Sequence, residues 1–244
     1  MGTRSKDKLA GEEQENLLNV LAEQVKLPIL QIARRAELAQ ISANPLLALE
    51  AIELTADSAL KLLDNYLLST QLARAQEYLQ LEPVSLSAVL NDTAHQLSRL
   101  ARQNQCELQL HLSGKYEPIM AHKAGLEAAL NSLGYVFIEA QTQSSLSAKR
   151  PPIIKLAAHR SKSGIAAGLF ANIEGLGADM YRRAHGLYGH ARQPLNQLTG
   201  SSGAGVFVAD SLLASMSAPL HVARHQKLSG LAATFMPSRQ MAIV

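Results

Sequence analysis

Two long stretches near the N-terminus carry apolar residues at every third or fourth position. This spacing places the apolar residues on one face of an α-helix. The first stretch runs from Leu18 to Ala39 and the second from Leu49 to Tyr66. The connection from Ser42 to Pro45 is short, so we expect the two helices to be antiparallel neighbours. A two-helix hairpin cannot cover both of its apolar stripes, and this one must pack against something else.

Additional leucines widen the apolar band of the hairpin. They are Leu17, Leu30, Leu38, Leu60, Leu62 and Leu67. A four-helix bundle made from two chains would cover such a band, and we therefore expect a homodimer. The alternative is that the hairpin packs on the rest of its own chain. Pro28 lies inside the first stripe and predicts a kink near Gln24, because proline removes one helical hydrogen bond.

Beyond Glu82 the pattern changes to alternating helices and strands. Ser85 is the expected N-cap of the first of these helices. This alternation predicts an α/β sandwich, a mixed sheet covered by helices on one face. The predicted elements are helices over 85–104, 123–143 and 206–217, and strands over 106–112, 118–122, 153–159, 164–173, 219–225 and 230–236.

Composition sets limits on the kind of protein this is. Hydrophobic residues make up 47% of the 244 residues but aromatic residues only 4%, so the core must be largely aliphatic. The net charge of +3 comes without interleaved aromatic and basic residues and does not indicate nucleic-acid binding. No apolar run reaches the roughly 18–20 residues of a membrane span, and the polar N-terminus is not expected to act as a signal peptide. The single cysteine, Cys106, is expected to be buried, and a cytoplasmic location is expected.

Several segments resemble two-component sensor histidine kinases. Residues 21–30, Leu-Ala-Glu-Gln-Val-Lys-Leu-Pro-Ile-Leu, resemble the phospho-acceptor helix of these kinases. The stretches 83–92, 200–222 and 230–237 resemble the entry, the glycine box with its helix, and the final strand of their ATP-binding domain, which Hsp90, MutL and topoisomerase ATPases share. The resemblance implies an α+β fold, with a helical hairpin that forms a dimeric four-helix bundle followed by an α/β sandwich. The expected division is a tail over 1–14, the hairpin over 15–80 and the sandwich over 81–244.

The reactive positions of that family do not match. Aligned on Pro28, Glu23 stands where the family has its phosphorylated histidine, and no histidine precedes His95. Aligned on Leu126 and Leu130, the two magnesium-binding asparagines of the family fall on Ser132 and Val136. Asn131 is one residue out of register, about 100° around the helix.

The positions that would hold the nucleotide are also altered. The adenine-binding aspartate of the family falls on Ile173, and the neighbouring Glu174 would point to the other face of a strand. The glycines of both boxes remain, as Gly175 and Gly177 and as Gly203 and Gly205. They are candidate nucleotide-binding residues, because glycines let backbone N–H groups approach phosphates, although a tight loop would need them equally. Residues 181–199 stand where the family has its mobile lid.

The combined losses predict a catalytically inactive scaffold or regulator that docks a response-regulator receiver domain or a partner histidine kinase. Glu23 would then hold a fixed negative charge at the phospho-acceptor position, and Gln24 is a candidate for positioning a water in phosphatase chemistry. We expect no metal site and no cofactor, although ATP without its usual magnesium coordination stays possible. The alternative is a divergent active kinase or phosphotransfer protein that uses His95 or His122.

Overall fold

The computed structural model describes residues 25–26, 28–41, 45–75, 79–144, 151–172 and 202–238 of the chain. Helix α1 spans residues 28–41, with 25–26 also helical, and helix α2 spans Pro45–Arg74. Arg35 of α1 donates from Nη1 to the carbonyl oxygen of Ala51 (2.8 Å) and to Oγ1 of Thr55 (3.1 Å) on α2. Arg35 and Ala51 lie at equal distances on either side of the connection, so α1 and α2 form the predicted antiparallel hairpin.

Within the described residues, three further helices and seven strands follow the hairpin. Helix α3 spans Leu86–Gln103, and the Oγ of its N-cap Ser85 accepts from the backbone N of Ala88, as predicted. Helix α4 spans Lys123–Ser144 and helix α5 spans Ser202–Ser215. The strands are β1 (Glu82–Val84), β2 (Glu107–Leu112), β3 (Ile119–Ala121), β4 (Ile153–Ser161), β5 (Gly164–Ala171), β6 (His221–His225) and β7 (Leu228–Phe235).

The strands form a mixed sheet of five, in the order β2-β4-β5-β7-β6, and a separate antiparallel pair of β1 with β3. Strands β2 and β4 are parallel and the other neighbours are antiparallel. Alternate residues of β4, such as Ile154 and Leu156, are fully buried in the main core beneath α3, α4 and α5. The predicted α+β class, with a sheet covered by helices on one face, is confirmed.

The other face of the sheet is strongly curved. A side chain on Gly168 would collide with the backbone of Leu231 and Ala232, and one on Gly230 would collide with the backbone of Leu169. These glycines allow β5 and β7 to approach closely on that face. Strands β2 and β6 are the two edges of the sheet, yet the imidazoles of His111 on β2 and His225 on β6 are in contact (2.9 Å between nitrogens). The sheet is therefore curved enough for side chains on its two edges to touch.

Part of the hairpin packs on the sandwich of the same chain. Tyr66 and Leu72 of α2 belong to the same buried core as α4 and α5. The alternative to a homodimer, in which the hairpin packs on its own chain, thus holds for the C-terminal half of α2. The expected tail over 1–14 lies outside the described residues, and the boundary near residue 80 stays a prediction. Among the described helices, none is both long enough and apolar enough to cross a membrane.

Element boundaries differ from the predictions by up to four residues, and strand β1 was not predicted. Helix α5 begins at Ser202, four residues before the predicted Val206, so both Gly203 and Gly205 lie within its first turn. The spacing of glycines favoured a loop there, but packing against α4 stabilises the helical conformation. Strand β7 begins at Leu228, two residues before the predicted Gly230, because the turn at 226–227 is the shortest that joins antiparallel strands.

Candidate functional site

The structure describes only some of the residues that the sequence singled out. Glu23 and Gln24 lie outside the described residues, and so do Ile173, Gly175 and Gly177. Their expected roles stay predictions. The positions that the structure does describe are Ser132 and Val136 on α4, the neighbouring Asn131, and the second glycine box on α5.

The α4 face that would carry the metal-binding asparagines is covered by other helices. Ser132 is fully buried and Val136 is 3% exposed. Asn65 of α2 donates from Nδ2 to the carbonyl oxygen of Ala128 (3.2 Å) and to Oγ of Ser132 (3.0 Å). An amide of the hairpin therefore uses the only polar side-chain atom at these two positions.

Gly205 on α5 closes the same face of α4. A Cβ atom at Gly205 would lie 2.5 Å from Cγ2 of Val136 and 3.2 Å from the carbonyl oxygen of Ser132. Close packing of two helices thus accounts for this glycine. The loop that the sequence suggested for Gly203 and Gly205 is absent from this part of the described chain, since both residues are helical.

Asn131 points away from the face formed by Ser132 and Val136. It is 7% exposed and donates from Nδ2 to Oε1 of Gln96 on α3 (2.9 Å), while its Oδ1 has no hydrogen-bond partner. It lines a cavity of about 170 Å³ between α2, α3 and α4, together with Lys61, Asn65, Leu68, Gln96, Ala124, Glu127 and Ala128. Asn131 therefore lies on a different face of α4 from Ser132, as its position one residue out of register predicts.

The two candidate histidines have different surroundings. His122 caps α4: its Nδ1 accepts from the backbone N of Gly125 (3.1 Å), and its own backbone N lies 3.2 Å from Sδ of Met216. These contacts explain His122 as a structural residue. His95 is exposed on α3. Across the described residues, no group of three or more His, Cys, Asp or Glu side chains is placed to hold a metal ion.

Two residues of this interface were not singled out from the sequence. Asn65 lies beside the apolar stripe of α2, and nothing in the local sequence indicates its contact with α4. Tyr135 lies near Asp57 of α2, and burial followed by the Asp57 charge raises the pKa of the Tyr135 phenol to about 12. Such contacts between α2 and α4 join residues more than sixty positions apart in sequence. No local pattern predicts them.

Comparisons with known proteins find similarity in structure but not in sequence. No protein-family model matches the sequence, and no curated protein is similar to it in sequence. The structure of full-length ShkA in complex with AMPPNP aligns with 95% of the chain, at 18% sequence identity and a TM-score of 0.53. The histidine kinase AdeS of Acinetobacter baumannii aligns with 88% of the chain and 98% of its own length, at 13% identity and a TM-score of 0.48. A bacterial phosphotransferase aligns with 92% of the chain and 96% of its own length, at 11% identity and a TM-score of 0.48.

The alignment with ShkA shows the fold. The helical hairpin followed by a helix-covered mixed sheet has the architecture of the histidine kinases, as the sequence resemblance implied. An identity of 18% shows the fold alone, and the chain spans 46% of the length of ShkA.

Proposed function

We propose that this chain, whose fold is that of the histidine kinases, is a signalling protein of that kind whose nucleotide site is closed by its own helices. Its role is then that of a scaffold or regulator that docks partner proteins. The hydrogen bonds from Asn65 to Ala128 and Ser132 carry this proposal, because they fix α2 over the α4 face where the resemblance places the metal ligands.

The chemistry of magnesium supports the proposal. Mg²⁺ requires oxygen ligands in nearly octahedral geometry and usually binds through a carboxylate or amide together with phosphates. Val136 offers no oxygen, and Oγ of Ser132 is buried and engaged by Asn65. A metal ion at this position would require α2 and α5 to leave α4, with loss of the two hydrogen bonds and of the Gly205 contact with Val136.

The exposed part of the hairpin suggests how partners bind. Large apolar side chains on α1 and α2 remain exposed in a single chain, and they are Ile29, Leu30, Leu38, Ile41, Leu46, Leu47, Leu49, Leu60 and Leu67. Apolar surface of this extent on a hairpin favours association with other helices. A second copy of the chain would form the four-helix bundle, and the segment around Glu23 would present a fixed negative charge to a receiver domain.

Thermal denaturation with nucleotide tests the closed site. A ligand that binds only the native state at 100 times its dissociation constant stabilises by about 2.7 kcal/mol. For a chain of this size that raises the melting temperature by roughly 5–10 °C. We expect no shift with millimolar ATP, with or without Mg²⁺, in the wild-type protein. A shift of several degrees that depends on Mg²⁺ would contradict the proposal.

A divergent phosphotransfer protein is the second candidate. In such a protein the phosphoryl group would go to His95, which is exposed on α3, and not to His122, which caps α4. Incubation with radiolabelled ATP, or with a phosphorylated receiver domain, would then produce acid-labile phosphate on the chain. A His95→Gln variant would abolish that label, and a His122→Gln variant would serve as the comparison. We expect no label with either phosphoryl donor.

A further inference from the structure

A chain of hydrogen bonds crosses the open face of the rolled sheet, on the side away from the helices. Nζ of Lys155 on β4 donates to Oε1 of Gln226 in the β6–β7 turn (2.6 Å). Nε2 of Gln226 lies 3.1 Å from Nε2 of His111 on β2. Nδ1 of His111 lies 2.9 Å from Nε2 of His225 on β6. These contacts connect the two edges of the five-stranded sheet through side chains alone.

The lysine fixes the direction of every bond in this chain. An ammonium group only donates, so the Gln226 oxygen must face Lys155 and the Gln226 NH₂ must face His111. Nε2 of His111 therefore accepts, which places the proton of His111 on Nδ1. That N–H donates to Nε2 of His225, which must accept in turn. The geometry is satisfied only when both imidazoles are neutral, each with its proton on Nδ1.

The surroundings of His225 oppose its protonation. His225 is 7% exposed, its ring stacks on that of His159 with 5.4 Å between centroids, and it also contacts the ring of Phe170. Burial, and then the charges of His111, His159 and Lys155, lower the pKa of His225 below its ordinary 6.5. These three groups, from β2 and β4, are all bases, so none of them compensates an imidazolium at His225.

The backbone of the β6–β7 turn is strained. Gln226 and Lys227 both have positive φ, at 46° and 69°. A two-residue hairpin turn of this kind favours Asn and Gly rather than long side chains. The side chain of Gln226 bonds Lys155 and His111 from this position, so the tip of the hairpin is held against β2 and β4.

We propose that His111, His225 and Gln226 form a proton-sensitive latch, which holds the β6–β7 turn against β2 only while both imidazoles are neutral. A proton added to Nε2 of His111 sets two donors against each other at Gln226. A proton added to Nε2 of His225 does the same at His111. Either event releases the edge-to-edge contact. Proton binding explains this cluster better than metal binding does, because no group of three His, Cys, Asp or Glu side chains among the described residues is placed to hold a metal ion.

The sign of the effect follows from the lowered pKa of His225. The unfolded or unlatched chain takes up a proton near pH 6.5, whereas the latched chain takes it up at lower pH. The latch is therefore fully stable above about pH 6.5 and weakens as the pH falls through the folded-state pKa. For one proton, the ratio of latched to unlatched chains falls about tenfold per pH unit within that window.

Nitrogen-detected NMR of the histidine side chains in the full chain tests the latch. At pH 7.5 we expect both His111 and His225 as the neutral form protonated on Nδ1. On acidification, the His225 signal should titrate below pH 6.5, together with loss of hydrogen-exchange protection in β6. A His225 signal that titrates at or above 6.5, or an Nε2-protonated tautomer of either histidine, would overturn the proposal.

A Gln226→Glu variant provides a test of opposite sign. The new carboxylate accepts at both oxygens, so it favours a protonated His111 and removes the donor clash at that position. We expect protection of β6 to persist to lower pH than in the wild type. A His95→Gln variant, changed at an exposed histidine of α3, should leave the pH dependence unaltered. An unchanged or steeper acid sensitivity in Gln226→Glu would contradict the latch.

Discussion

Replacing Asn65 by alanine removes two hydrogen bonds between α2 and α4, at 3.2 Å to the Ala128 carbonyl and 3.0 Å to Oγ of Ser132. A neutral hydrogen bond contributes about 0.5–1.5 kcal/mol to stability, so the pair contributes about 1–3 kcal/mol. Ser132 is fully buried and its hydroxyl loses this donor, which favours the upper half of the range. We expect the free energy of unfolding to fall by about 2 kcal/mol.

Asn91→Ala is the matched control. Asn91 is an exposed residue inside α3, as Asn65 is a residue inside α2. Both substitutions improve helix propensity by the same few tenths of a kcal/mol, so their difference isolates the contact with α4. In urea denaturation followed by circular dichroism, the midpoint for Asn65→Ala should lie about 0.7–1 M below that of Asn91→Ala, with unchanged slope.

Equal midpoints for the two variants would refute the inference that α2 is fixed on α4 by Asn65. The same pair of variants bears on function. If the contact closes the site, Asn65→Ala weakens the cover over Ser132 and Val136, but Val136 still offers no metal ligand. We therefore expect no Mg²⁺-dependent ATP shift in this variant either.

Three further predictions concern stability. Burial and Asp57 raise the pKa of Tyr135 from 10.0 to about 12. The contribution of the neutral phenol to the free energy of unfolding should therefore be present in full below pH 10 and be lost between pH 10 and 12. Asp57→Asn should lower the pKa of Tyr135 in the folded protein, which a phenolate absorbance titration measures. Phe137→Ala, at a fully buried position, should cost about 3–5 kcal/mol in urea denaturation. Lys227→Gly, at φ 69°, should raise the melting temperature by relieving about 1 kcal/mol of backbone strain, whereas a lowered value would show that the lysine side chain stabilises the turn.

The burial of α2 against the sandwich has a consequence for partner binding. The C-terminal half of α2 contributes Tyr66 and Leu72 to the core of its own chain, while the exposed leucines lie mainly toward the tip of the hairpin. A second copy of the chain would therefore meet the hairpin on the surface that remains free. Size-exclusion chromatography with Leu46→Glu, a change at a residue 69% exposed, would test this: we expect a smaller assembly and an unaltered fold.

Local patterns predicted most of the architecture correctly. The three-four spacing of α2 and the cap at Ser85 each depend on residues that are near neighbours in sequence. The same patterns predicted the order of helices and strands along the chain. The resemblance to histidine kinases implied the overall architecture, and the alignment with ShkA shows that fold. The sequence predicts a start four residues too late for α5, because glycines favour loops. The close contact of Gly205 with Val136 on α4 accounts for the helix there.

The sequence by itself determined most of the elements and the aliphatic core, because these follow from residue type and short spacing. The mismatch at Ser132 and Val136 follows from the resemblance to the histidine kinases. Only the tertiary structure decided that Asn65 covers Ser132, and that His111 reaches His225 from the opposite edge of the sheet. Both contacts depend on the relative placement of whole helices and strands. That placement results from packing and sheet curvature summed over many residues, and no local pattern records it.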